Sequence, residues 1–84
     1  MTRLWPQGIL VTVFTTQPGL PQVVVWGNDT HQVIEISRQW QVDWTDEEGR
    51  VWRAYFKLRT DTGLLIIIYH DWLTGQWYLQ RLYD

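Results

Sequence analysis

A small antiparallel β-barrel or half-barrel of about six strands is the fold that the sequence predicts, and three observations carry it. Apolar residues recur with a period of two along most of the chain, the pattern of strands with one buried face. Turn residues punctuate these stretches at Pro18-Gly19, Gly27-Asn28-Asp29, Asp46 to Gly49, Asp61-Thr62-Gly63 and Thr74-Gly75. No helical crossover lies between the stretches, so neighbouring strands run antiparallel as a meander, and a twisted sheet of this size curls on itself.

Gly8 to Thr16 is rich in β-branched residues and reads as the first strand. It ends at Gln17-Pro18-Gly19-Leu20-Pro21, where Pro fixes φ and Gly accepts a positive φ. Gln22 to Trp26 is the second strand. His31 to Trp44 carries Ile34, Ile36, Trp40, Val42 and Trp44 on its even positions and only Val33 on its odd ones. A helical stripe of Val33, Ile36, Trp40 and Trp44 leaves Ile34 and Val42 out, so a long, bent strand is the better reading and a helix the lesser one.

Arg50 to Thr60 alternates cleanly, with Trp52, Ala54, Phe56 and Leu58 on one side and Val51, Arg53, Tyr55, Lys57 and Arg59 on the other. Asp61-Thr62-Gly63 is a three-residue hairpin loop with Gly in the left-handed position. Leu64 to His70 is apolar on both faces, which places it centrally in the sheet. Gln76 to Tyr83 closes the series. Trp40, Trp52 and Trp77 fall on the apolar parity of their strands and are expected inside; Trp5 and Trp72 fall in a tail and a loop, suited to covering an open barrel end.

Composition bounds the rest. The 84 residues make one domain, 1–84, without repeats or linkers. A chain of this length buries only about 60% of its unfolded surface. There is no cysteine, so neither a disulfide nor a thiolate zinc site supports the core. Seven Trp, four Tyr and two Phe take that role instead, each removing roughly 150–250 Å² from water when buried. The net charge of −2 argues against a protein that coats DNA through bulk charge. Met1 to Gln7 lacks a signal-peptide apolar stretch, and the apolar run Leu64 to Tyr69 is far below the ~20 residues of a membrane helix. A cytoplasmic protein without membrane contact is expected.

No catalytic constellation, metal site or cofactor is expected. A nucleophilic cysteine and a Gly-rich phosphate loop are both missing. His31 and His70 have carboxylates nearby in sequence, but both fall at strand ends beside turns and read as surface residues rather than as an acid–base or metal pair. Asp46, Glu47 and Glu48 lack the alternating oxygen ligands of a calcium loop and read as a solvated turn. The stronger signal is the odd face of the fourth strand. Arg53, Tyr55, Lys57 and Arg59 set an aromatic among cations, an arrangement that suits contact with a partner or with single-stranded nucleic acid. The same alternation also serves an ordinary solvent-facing strand.

The second half carries a further pattern. Trp40 and Trp44 precede Tyr55-Phe56-Lys57-Leu58-Arg59-Thr60; Gly63 then opens an apolar strand to Tyr69, and Gly75-Gln76-Trp77-Tyr78-Leu79 leads to Arg81-Leu82-Tyr83-Asp84. With Trp26-Gly27 and His31 to Ile36, this resembles a family of small bacterial Trp-rich domains of unknown function. It is also similar to the C-terminal tail of the catalytically inactive Y-family polymerase homologue of the bacterial mutagenesis cassette. The resemblance spans about Val23 to Asp84. It departs from the family before Trp40, where relatives look more helical. It implies a non-catalytic accessory module near DNA repair or error-prone DNA synthesis, contacting a protein such as a polymerase component or contacting DNA, with no catalytic residue to carry over. Direct binding of single-stranded nucleic acid through the fourth strand is the alternative.

Overall fold

The computed structural model describes residues 2–16 and 19–83. Six antiparallel strands close into a barrel in chain order: β1 (Arg3–Thr15), β2 (Pro21–Trp26), β3 (Asp29–Asp46), β4 (Gly49–Thr60), β5 (Leu65–Asp71) and β6 (Trp77–Tyr83). There is no helix among the described residues, so the long strand reading of 31–44 holds and extends at both ends. The hairpin loop after β4 forms as expected, with Gly63 at φ +87°. The proposed turn at Gln17-Pro18 lies outside the described residues.

The barrel closes through the N-terminus, which the sequence reads as a tail. Arg3 and Leu4 pair with Leu82 and Arg81, and Ile9 to Val11 pair with Leu79 to Trp77. Between those two stretches the register shifts, and Pro6 and Gly8 occupy the irregular segment. A proline is tolerated there because a bulge needs no ladder donor from it.

Alternate residues of each strand point into the barrel. Val11, Val24, Ala54, Phe56, Leu58, Ile66, Ile68, Trp77 and Leu79 form the buried core. Trp5 packs edge-to-face on Trp26, with ring centroids 6.1 Å apart, and both lie against that core. β5 pairs on both sides, with β4 and β6, as its two apolar faces predict. Its even residues fill the interior, whereas Ile67 and Tyr69 are buried under side chains on the outer wall.

β3 departs from its simple parity. The pairing with β4 shifts between Val33 and Glu35 and again between Ile36 and Arg38. Each extra residue reverses which parity faces inward. Val33 and Ile36 therefore both pack against the core, while Ile34 is exposed. Trp40, expected inside, lies on the outer wall, stacked on Tyr55. Trp52 is half-buried, tilted against Trp72 beside the end of the barrel; Trp77 is inside, as expected.

Candidate interaction surfaces

Register across β3, β4, β5 and β6 arranges the outer wall into rows. Trp40 pairs with Tyr55, Tyr55 with Tyr69, and Tyr69 with Tyr78, so four strands contribute one continuous line of rings. Successive ring centroids are 5.2, 5.2 and 5.1 Å apart. Contacts of this kind stabilise by roughly 0.5–1.5 kcal/mol each beyond the area they bury. Tyr69 is 2% exposed and donates its hydroxyl proton to the Gln7 carbonyl at 2.9 Å, which ties the row to β1.

The four contact residues expected from β4 divide into two pairs. Arg53 and Tyr55 belong to the internal bracing of this row. The Arg53 guanidinium lies 4.5 Å from the Tyr69 ring centroid and donates to the Tyr55 hydroxyl at 3.1 Å. Partial burial works against its charge, but Tyr55, Tyr69 and Asp71 outweigh it and hold its pKa above the ordinary value. Burial pushes the Tyr69 hydroxyl above the ordinary tyrosine range; Arg53 opposes that shift, while Tyr55, Tyr78 and Asp71 add to it. Tyr55 is only 8% exposed, so its ring is not open to a base.

Lys57 and Arg59 remain accessible, and they do not stand alone. Arg38 pairs with Lys57, Lys57 with Ile67, and Ile67 with Arg81, forming a cationic row beside the aromatic one. Arg38 rests over Trp40 at 4.9 Å, and Lys57 and Arg81 approach Tyr83 at 5.0 and 5.7 Å. Arg38 and Arg81 escape a reading of β4 alone, because only the sheet register brings three strands together.

A second feature is the seam between β2 and β3. β2 pairs with Asp29 to Gln32 only, whereas β3 runs on to Asp46 with β4 as its partner on one side. Two cavities lie between β3 and the residues Gly19 to Gln22. One, of about 370 Å³, is bounded by Leu20, Gln39, Gln41, Ala54, Phe56 and Trp72, among others, and Trp40 and Tyr55 of the aromatic row also border it. The other, of about 310 Å³, is bounded by Leu20, Pro21, Val33, Ile34 and Ile36, among others.

The histidines are not the surface pair expected. His31 is buried, with Nδ1 2.6 Å from the Thr62 hydroxyl. His70 stacks on Trp77, planes 6° apart and centroids 4.5 Å apart, and also contacts Trp72. His31 sits beside the β4–β5 loop, while His70 pairs with Ala54, six residues before Thr60 on β4. At about 3.4 Å per residue they lie near opposite ends of the barrel, roughly 20 Å apart. Among the described residues no cluster of three or more His, Cys, Asp or Glu is placed to hold a metal ion. The acidic turn is an Asx turn: the Asp46 carboxylate accepts from the amides of Glu48 and Gly49. Next to it Arg50 grips Asp43 with two hydrogen bonds, of 3.1 and 3.0 Å, and holds the Asp43 carboxyl below its usual range.

No family model, curated protein or solved structure matches this chain. No helix among the described residues is long and apolar enough to cross a membrane.

Proposed function

We propose that the chain is a non-catalytic interaction module that receives an extended segment of a partner protein along the open side of β3. The carrying observation is the mismatch in strand length at the seam: β3 has 18 residues and β2 has 6. Backbone groups along an unpaired edge are a template for an added strand, and main-chain hydrogen bonds of that kind supply affinity without regard to sequence. The two cavities beside the edge supply selectivity. A strand laid against β3 turns alternate side chains to one face, so apolar residues at every second position would reach Leu20, Phe56 and Trp72 in one cavity and Val33 and Ile36 in the other. The resemblance of residues 23–84 to the tail of an inactive polymerase homologue supports a partner in DNA repair or error-prone synthesis.

Selection of linear peptides from an unbiased display library tests the reading. Enriched peptides should alternate apolar and polar residues, slow amide exchange across residues 33–42, and lose affinity about tenfold for a Gln41→Trp variant that fills the larger cavity. Failure to enrich any sequence, or protection confined to β1 and β6, would overturn it.

A further inference from the structure

We infer that the outer wall of β3, β4 and β6 binds the phosphate backbone of single-stranded nucleic acid along the row Arg38–Lys57–Arg81, with Arg59 at its margin. The row lies on the outer wall, whereas the seam follows the open edge of β3; Trp40 and Tyr55 border both, and each surface has its own test.

The first support is the distribution of charge. Although the chain is acidic overall, five of its seven basic residues, Arg38, Arg53, Lys57, Arg59 and Arg81, lie on this wall. The one ion pair among the described residues, Asp43 with Arg50, is elsewhere. Among the described residues two carboxylates reach the wall, and both stand at its margins: Glu35 pairs with Arg59, and Asp71 with Arg53. The central row contains none. Asp29, Asp46, Glu47, Glu48 and Asp61 sit at turns.

The second support is how the cations are held. Arg38 rests over the Trp40 ring, and Lys57 and Arg81 over Tyr83, so the side chains are laid along the sheet with donors still free. Among the described residues, only Arg81 of the three uses a donor within the protein, to the Tyr83 hydroxyl at 3.3 Å. Lys57 and Arg81 are also partly buried, which lowers the entropy lost when an anion binds. Neighbouring strands stand about 4.8 Å apart, so the row from β3 to β6 spans roughly 14 Å. That length accommodates about two or three successive phosphates of an extended strand, a short site for a small β-barrel.

The chemistry selects a single strand over a duplex. The outside of a barrel is convex, and a flexible strand can follow it across several strands of sheet. A duplex, with a persistence length of about 150 base pairs, touches a convex wall at fewer phosphates. Base stacking has a small part, because Tyr55 and Tyr69 are buried within their own row; only Trp40, Tyr78 and Tyr83 keep partial exposure. Binding is therefore backbone-driven, with little preference for sequence and a strong response to salt.

Fluorescence anisotropy of labelled oligothymidylate, titrated from low to physiological salt, tests the assignment. Three phosphate contacts give a slope of log affinity against log salt of about −2. Arg38→Gln, Lys57→Gln and Arg81→Gln combined should abolish binding, while Arg38→Lys, Lys57→Arg and Arg81→Lys combined should keep most of it. Thermal unfolding of both variants separates lost contacts from a lost fold. Arg50→Gln, seven residues from Lys57 near the far end of the β3–β4 ribbon, should leave affinity unchanged. Absence of binding at low salt, or full affinity in a folded triple-Gln variant, would overturn the proposal. Equal binding of poly-glutamate or of phosphatidylserine vesicles would overturn it too, reassigning the wall to acidic protein or to membrane.

Discussion

Tyr55 lies flat against Trp40 across the β3–β4 pair, their ring planes 6° from parallel and their centroids 5.2 Å apart. The pair begins a line of rings on the outside of the barrel, where a strand ordinarily shows polar side chains. It therefore holds the long β3–β4 ribbon to the wall, a second and external layer of packing. Double-mutant analysis of Trp40→Ala and Tyr55→Ala by urea unfolding should give a coupling of about 0.5–1.5 kcal/mol. Additive losses would mean that each ring acts only through its own buried area.

Tyr69 joins this outer layer to β1 through its hydrogen bond to the Gln7 carbonyl. Tyr69→Phe should destabilise by about 1 kcal/mol, since the carbonyl keeps no equivalent protein donor. A pH dependence follows from the raised pKa of the hydroxyl. Above the unfolded tyrosine value of about 10, the folded state holds its proton while the unfolded state releases it, so stability falls as pH rises further. The contribution is complete below that value and is lost as pH passes through the folded pKa. Wild type should show a steeper alkaline decline than Tyr69→Phe in unfolding curves recorded above neutral pH.

Much of this architecture is legible in the sequence because strand periodicity and turn chemistry are local. Gly63 requires only its own loop, and the double apolar face of Leu64 to Tyr69 needs only a central strand. The reading breaks where a bulge intervenes. The even stripe from Ile34 to Trp44 is interrupted only by Arg38, yet register shifts on either side of Ile36 send Ile36 inward and Trp40 outward. Bulges are set by pairing with β4, so no count along β3 alone exposes them. Likewise, the cations of β4 are visible as a strand pattern, but their true neighbours, Arg38 and Arg81, are 19 and 24 residues away from Lys57 in sequence. His31 misleads for a related reason. A polar residue beside a turn reads as exposed, whereas the Thr62 hydroxyl supplies the partner that lets it be buried.

Gly8 is required by close approach as well as by backbone conformation. It has φ +78°, and a Cβ there would stand 2.7 Å from the Tyr78 Cβ and 3.2 Å from Tyr69 Cε2. Neither the backbone-linked Cβ of Tyr78 nor the tethered ring of Tyr69 can move aside easily. The left-handed conformation alone costs an alanine about 1–2 kcal/mol, and overpacking adds roughly 1–3. Gly8→Ala should therefore lose at least ~2 kcal/mol in urea unfolding. Gly27→Ala, at φ +63° with open space where its Cβ would go, should lose only the conformational part.

Leu58 and Leu10 separate core from wall most sharply. Leu58 has no exposed surface and meets Ile36 and Ile66 across its two neighbouring strands; Leu10 is 63% exposed on β1. Truncating a fully buried leucine removes its transfer free energy and leaves a cavity, a loss of about 2–5 kcal/mol. At Leu10 most of the side chain is already in water, so Leu10→Ala should change stability by no more than about 0.5 kcal/mol. In a chain this short, with no disulfide, Leu58→Ala should shift the thermal midpoint by many degrees or prevent folding outright. A Leu58→Ala protein with a near wild-type midpoint would show that the barrel interior repacks freely, and Leu58→Met, which nearly conserves volume, should retain most of the stability.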